Sequence, residues 1–242
     1  MFNSEVQSKH ELTGAALALD LLRTMHELGQ DVGLKIRLPS QESLEKFALL
    51  PLQRQSNFLT SLEIYAPVFE CQIKSITAGS PEKITAKQER EHLTYMADRM
   101  DIELNKEVLK AIDKGDVVEI YNTDSIQVYR NLEFFRTTNY SLLDIVSCSW
   151  QTLWERPTQV VEMINQRVSE VMTSEDTAPK PFQITDHIIR EKYLGHTQAL
   201  AIHTKKIARV NYRDRKDAFG FFVNMNVQII ATGSEAQKVG FT

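Results

Sequence analysis

Residues 11–29, ELTGAALALDLLRTMHELG, place Leu12, Ala15, Ala16, Leu19 and Leu22 on one helical face, with Leu17, Leu21, Met25 and Leu28 beside them. A stripe that wide predicts a bundle helix packed on two sides, with Gly29 as its C-cap. Residues 40–50 predict a second helix, capped by Ser40 and ended by Pro51. NFLTSLEIYAPVFECQIKSI, residues 57–76, mixes two signals. Its β-branched and aromatic content suits a strand and its neighbours suit a helix. Pro67 would kink the helix or bar a central strand, and the segment is read as helix. A loop, AGSPEK, leads to residues 85–115. There Leu93, Met96, Ala97, Met100 and Leu104 recur at three and four, and Leu109 and Ile112 continue the pattern. Thr85 suits the start, Lys110, Lys114 and Gly115 the end, and a break falls between 101 and 105.

After Gly115 the texture changes. DVVEIYN and SIQVYRN flank a turn around residues 123–125 and predict a hairpin. Residues 130–156 show neither clean helical nor clean strand spacing and read as several short helices in series. PTQVVEMINQRVSEVM, residues 157–172, is an amphipathic helix with Pro157 at its first position; Val160, Ile164, Val168 and Met172 sit four apart, with Val161 and Val171 alongside. The loop SEDTAPKP follows. Three strand-like runs, 182–194, 198–212 and 218–231, are divided by Gly195 and RDRKD. Two strands, short helices, one longer helix and three strands predict an α+β fold: a helical region over residues 1–115, then, over 116–242, a five-stranded antiparallel sheet with helices on one face.

Within residues 116–232, about half the chain, a family pattern is visible. Asn131 closes the second strand and is followed by Phe134 and Phe135. Tyr140-Ser141-Leu142-Leu143-Asp144-Ile145 and then Trp150-Gln151-Thr152-Leu153 follow. This run resembles the PAS domain, with Asn139 where that family usually has Gly and Ser147 near a second such position. The resemblance implies short helices lining a small chamber over the sheet, with Ser141 capping one of them and Asp144 completing a capping box. Such a chamber holds a small ligand, haem, flavin or nothing. On its wall the resemblance puts Asn131, Phe134, Tyr140, Leu143, Trp150, Leu153 and Ile164.

Composition narrows the choices. In 242 residues the hydrophobic share is 42%, the charged share 25% and the formal net charge −4, so no strong field draws the chain to nucleic acid or an anionic membrane. No apolar run reaches the roughly 18–20 residues needed to span a bilayer, and the first residues lack a signal-peptide layout. Cys71 and Cys148 imply no disulfide framework and a reducing cytoplasm. Metal, dinucleotide and P-loop motifs are missing. The 157–172 helix offers no histidine to a haem, and His187, His196 and His203 read as ordinary strand residues. SCSWQ around Cys148 lacks the reactive flavin motif, although an isoalloxazine stacked on Trp150 or Trp154 stays open beside the plainer reading of both as core or interface residues. Glu89, Glu91 and His92 cannot share one helical face and read as a solvated side. The basic run from Lys205 to Lys216 is diluted by Asp214 and reads as a hairpin tip.

The expectation is a cytoplasmic signalling or regulatory protein, not an enzyme. Its cofactor is unspecified, its PAS-like half is sensory or protein-binding, and its helical half dimerises or carries output. It would have a protein partner, a possible small-molecule ligand and a homodimeric state, with no nucleic acid and no membrane. The rivals are a ligand-free structural adaptor and an enzyme with an α+β cavity fold.

Overall fold

A computed structural model describes residues 2–79, 84–174, 179–193, 195–215 and 218–240. Five helices and a two-residue strand come first: α1 (Phe2–Gln30), α2 (Gln41–Ala48), α3 (Leu52–Gly79), α4 (Ala86–Arg99), β1 (Ile102–Glu103) and α5 (Lys106–Lys110). The segment with mixed signals is helical, and Pro67 lies inside α3. Ser40 caps α2 by accepting from the Ser43 N–H. Thr85 and Gln88 form a capping box on α4. The expected break is real: Asp101 adopts φ 55° between α4 and α5.

α1 departs from expectation in two details. Its fully buried apolar positions are Ala18, Leu22 and Met25, with Ala15, Leu21 and Leu28 partly buried beside them, while Leu17 is 40% exposed. The helix does touch two neighbours, α3 and α2, and the Leu12 side chain lies outside the described residues. Gly29 is not the cap. It stays helical and buried because Ile36 passes so close that an added Cβ would meet its Cδ1 at 2.9 Å. Gly33 takes the left-handed turn at φ 71°.

The second half runs β2 (Val117–Tyr121), β3 (Gln127–Arg130), α6 (Leu132–Thr137), α7 (Leu142–Ser147), α8 (Trp150–Leu153), β4 (Trp154–Glu155), α9 (Thr158–Thr173), β5 (His187–Tyr193), β6 (His196–Tyr212), β7 (Phe219–Thr232) and α10 (Gly233–Lys238). The 130–156 stretch is thus three one-turn helices and a two-residue strand. Ser141 and Asp144 make the capping box on α7, and Pro157 sits one position earlier than expected, as the N-cap of α9. Met172 belongs to the face expected to pack, but its side chain lies outside the described residues.

All pairings are antiparallel, in the order β3-β2-β7-β6-β5-β4, and β1 adds to β6. The sheet therefore has seven strands: the five expected, in one continuous path, plus two of two residues each. Nor are the helices confined to one face. On β7, Phe222 joins the core made by α1–α4, α6 and α7, whereas its neighbours Phe221 and Val223 pack with Val160, Met163 and Ile164 of α9. Successive strand residues point to opposite faces, so helices cover both. β6 and β7 shift register between Thr204 and Lys206, which bends this long ribbon. Gly220 is required where β7 meets β2, because a Cβ there would lie 2.2 Å from the Tyr121 carbonyl oxygen.

One apolar core joins the two halves: it runs from Ala18, Leu22 and Phe47 through Tyr65, Leu93 and Met96 to Ile120, Tyr129, Leu143 and Phe222. Polar bonds cross it as well. The Ser43 hydroxyl donates to Asp144, tying α2 to α7, and the Tyr65 hydroxyl donates to the Arg130 carbonyl oxygen at 2.6 Å, tying α3 to β3.

Candidate functional site

β2 is flanked by strands on both sides, and its sequence VVEIY is apolar except for Glu119. Any charge on such a strand is carried inside. Glu119 pairs across the ladder with Arg130, and Tyr121 with Gln127. On the other side these two residues of β2 lie opposite Val223 and Phe221, the pair that contacts α9. Direct cross-strand partners share a face, so Glu119, Tyr121, Gln127 and Arg130 form a polar group on the α9 side of the sheet.

Glu119, Gln127 and Arg130 are buried, Tyr121 is half-buried, and the group is incompletely bonded. Tyr121 donates to Glu119 at 2.7 Å, and the Gln127 amide donates to the Tyr121 oxygen at 3.3 Å. Burial pushes the Glu119 carboxyl up to about 7, against the downward pull of the Tyr121 bond and of Arg130 and Arg156. Arg130 is 2% exposed. One of its Nη groups donates to the Gln127 carbonyl oxygen, while Nε and the other Nη have no acceptor. Its guanidinium lies 5.0 Å from the Tyr65 ring centre.

Arg156, two residues ahead of α9, covers the group from the helix side. Its guanidinium lies 4.9 Å from the Trp150 ring and 5.7 Å from that of Trp154. Its buried Nε also lacks an acceptor. Burial lowers its pKa to about 10, opposed by Tyr121, Glu119 and Glu191.

The wall beside Trp154 is fully bonded. Glu191, wholly buried on β5, accepts from the Trp154 indole at 2.7 Å, the Asn139 N–H at 3.0 Å, the Thr138 hydroxyl at 3.1 Å and the Gln198 amide. Tyr140 packs edge-on to Trp154 with ring centres 5.6 Å apart, and its hydroxyl donates to the Leu153 carbonyl oxygen.

The seven wall residues expected from sequence do not converge. Asn131 caps α6: its Oδ1 accepts from the Phe134 and Val118 N–H groups, and its amide donates to the Asp116 carbonyl oxygen. Phe134 and Leu143 belong to the core shared with α1–α4. Tyr140 and Leu153 pack with Trp154, Ile189, Leu200 and Ile202, and Trp150 flanks that cluster. Ile164 lies half-buried in the α9 cluster. Of the seven, Trp150 touches the polar group, through Arg156. Sequence reasoning missed Glu119, Tyr121, Gln127, Arg130 and Arg156; the available signal was a charged residue set inside each of two short apolar strands.

The reading of this segment as a solvated side holds for Glu91, which is exposed, and is corrected for Glu89. Glu89 is buried and accepts from the Tyr129 hydroxyl at 2.6 Å, which in turn accepts from Gln72 at 3.1 Å. Burial lifts this carboxyl to about 7. The cavity beside it is only about 10 Å³. A larger open groove of about 370 Å³, lined by His26, Lys35, Arg37 and His196 among others, lies along α1 and the segment after it.

No known family model matches this chain, and no curated protein matches it. Among the described residues no helix is long and apolar enough to cross a membrane, and no group of three or more His, Cys, Asp or Glu side chains could hold a metal ion.

Proposed function

We propose that the protein is a cytoplasmic signalling or regulatory protein in which residues 116–242 act as a PAS-like sensory domain and residues 1–115 carry dimerisation or output. The observation that carries this reading is the polar group enclosed between the sheet and the α8–α9 roof, where two guanidinium groups and an amide oxygen keep unfilled hydrogen-bonding positions. Buried polar atoms left unpaired are costly in a structural core, so their presence favours a site completed by something else. The element order supports the same reading: two strands, short helices, a longer helix and three strands. A route to the output region begins at Arg130, whose carbonyl oxygen and guanidinium both touch Tyr65 of α3.

The adaptor reading draws on a different observation. Phe134, Tyr140, Leu143 and Leu153 are all buried among the chain's own side chains. An enzyme is the weaker alternative, because the one hydroxyl–carboxylate pair in the group, Tyr121 donating to Glu119, sits where burial pushes the Tyr121 hydroxyl well above its ordinary pKa rather than activating it. A thermal-shift screen of the full chain with flavins, haem and small metabolites separates the readings. A saturable rise in melting temperature supports the sensory domain, by the mass-action stabilisation that any native-state ligand brings. Failure of every compound supports the adaptor.

A further inference from the structure

Two cations of this chain stand without carboxylates in one open groove. Lys35 is exposed and Arg37 half-buried, both on the segment after α1. Both line the groove of about 370 Å³, together with His26, Leu34, Ile36 and His196. Exposed cations elsewhere are paired: Lys46 with Glu42, Lys87 with Glu91 and Arg213 with Asp98. Lys35 and Arg37 form no ion pair among the described residues. No described carboxylate lines the groove either. In a chain of formal net charge −4 this is a local reversal of sign. A cleft lined by one sign of charge concentrates ions of the other.

The walls are fixed before anything binds. The Leu34 N–H donates to the Gly29 carbonyl oxygen at 2.9 Å. The Ile36 carbonyl oxygen can only accept, so His26 donates to it from Nδ1, at 2.6 Å, and its Nε2 accepts from the Gln30 amide at 2.9 Å. Arg37 donates from one Nη to the Asn139 side-chain oxygen at 3.3 Å. A guanidinium carries several further N–H donors, so Arg37 is held in place with donors to spare. A side chain positioned in advance loses less freedom when a ligand arrives.

The rest of the lining is largely apolar. Leu34 and Ile36 are buried at its base, and Leu38 is left 38% exposed in it. A few charged groups beside an apolar wall, in a volume of this size, are the makeup of a small-ligand site. A carboxylate or phosphate matches the planar fork of Arg37 and the point charge of Lys35. An apolar body attached to that group would cover Leu38.

The geometry points to a binding site for a small organic anion between the end of α1, residues 34–38 and the start of β6. Lys35 and Arg37 hold its oxyanion group, and its apolar body rests against Leu38. The site shares no residue with the polar group under α8 and α9, so it stands or falls apart from the sensory reading.

The test is thermal-shift and calorimetric titration of the full chain at constant, low ionic strength. The probes are phenylacetate and phenyl phosphate, the uncharged phenylacetamide, and acetate and inorganic phosphate, which lack the apolar body. At least one of the two phenyl anions should bind saturably, about tenfold or more tightly than phenylacetamide, as a charge-assisted contact implies, and more tightly than its counterpart without the ring. The order of the two phenyl anions tells a carboxylate site from a phosphate site. Lys35→Gln, at an exposed position, should weaken binding about threefold or more, and the double variant Lys35→Gln, Arg37→Gln should lose it. Lys106→Gln, which removes the same charge from α5, should leave the affinity unchanged. No saturable binding by either phenyl anion, equal binding of phenylacetamide, equal binding of acetate and phosphate, affinity that survives the double substitution, or an equal loss in Lys106→Gln overturns the assignment.

Discussion

The indole N–H of Trp154 donates to the Glu191 carboxylate at 2.7 Å, inside a wall where Glu191 has no exposed surface. Three further donors converge on the same carboxylate, from Asn139, Thr138 and Gln198. Glu191→Ala leaves a buried indole N–H and a backbone N–H without acceptors, each costing about 1–3 kcal/mol. The urea midpoint should fall accordingly, and Trp154 emission should move. An unchanged midpoint would place Glu191 outside the core.

The core shared by the two halves has its own test. Leu143 is fully buried on α7, whereas Ile164 is half-buried on α9. Leu143→Ala should cost about 2–5 kcal/mol by the transfer and cavity terms, and Ile164→Ala less, toward the lower end of that range. Equal midpoints for the two variants would contradict this ranking.

Two carboxyls give stability a defined pH dependence. Burial raises Glu89 and Glu119 to about 7 from the ordinary 4.5. Between those values the folded state holds protons that the unfolded chain has lost, so stability falls as pH rises from about 4.5 to about 7. At about 1.4 kcal/mol per pKa unit each group contributes a change on the order of 3 kcal/mol across that window. Denaturant midpoints taken every half unit from pH 4.5 to 8 should decline, and Glu89→Gln should flatten the decline by about half. A profile that rises through this window would contradict the burial of both groups.

Association is expected from two exposed features. Leu17 is 40% exposed on α1, and β7 continues past the last residue paired with β2, Met225, carrying Ile229 and Ile230 at 42% and 41% exposure. An uncharged edge of this kind invites pairing with another strand. Light scattering should give twice the chain mass, and Ile229→Lys should reduce it. A monomeric mass at high concentration would count against the dimer.

Much of this architecture is legible in the sequence because local signals agree. The caps at Ser40, Thr85 and Ser141, the turn before Ile126 and the strand runs are all read from residue chemistry that acts within four residues. The number of strands and the face each helix covers are not local: β1 and β4 are two residues long and exist only through pairing with Tyr212–Asn211 and Glu191–Arg190. The polar group was illegible for the same reason. Glu119 and Arg130 become neighbours through strand register, and Arg156 joins them only when α8 folds over the sheet.

The central claim, that the polar group under α8 and α9 belongs to a sensory site, is tested most directly by tryptophan fluorescence. Trp150 and Trp154 are the chain's two tryptophans, and both stack on Arg156. Titration of the full chain with flavin, haem and small metabolites, corrected for absorbance, should give with at least one of them a saturable change in emission that Arg156→Met removes. Emission that stays unchanged through every titration, or that changes equally in Arg156→Met, would contradict it.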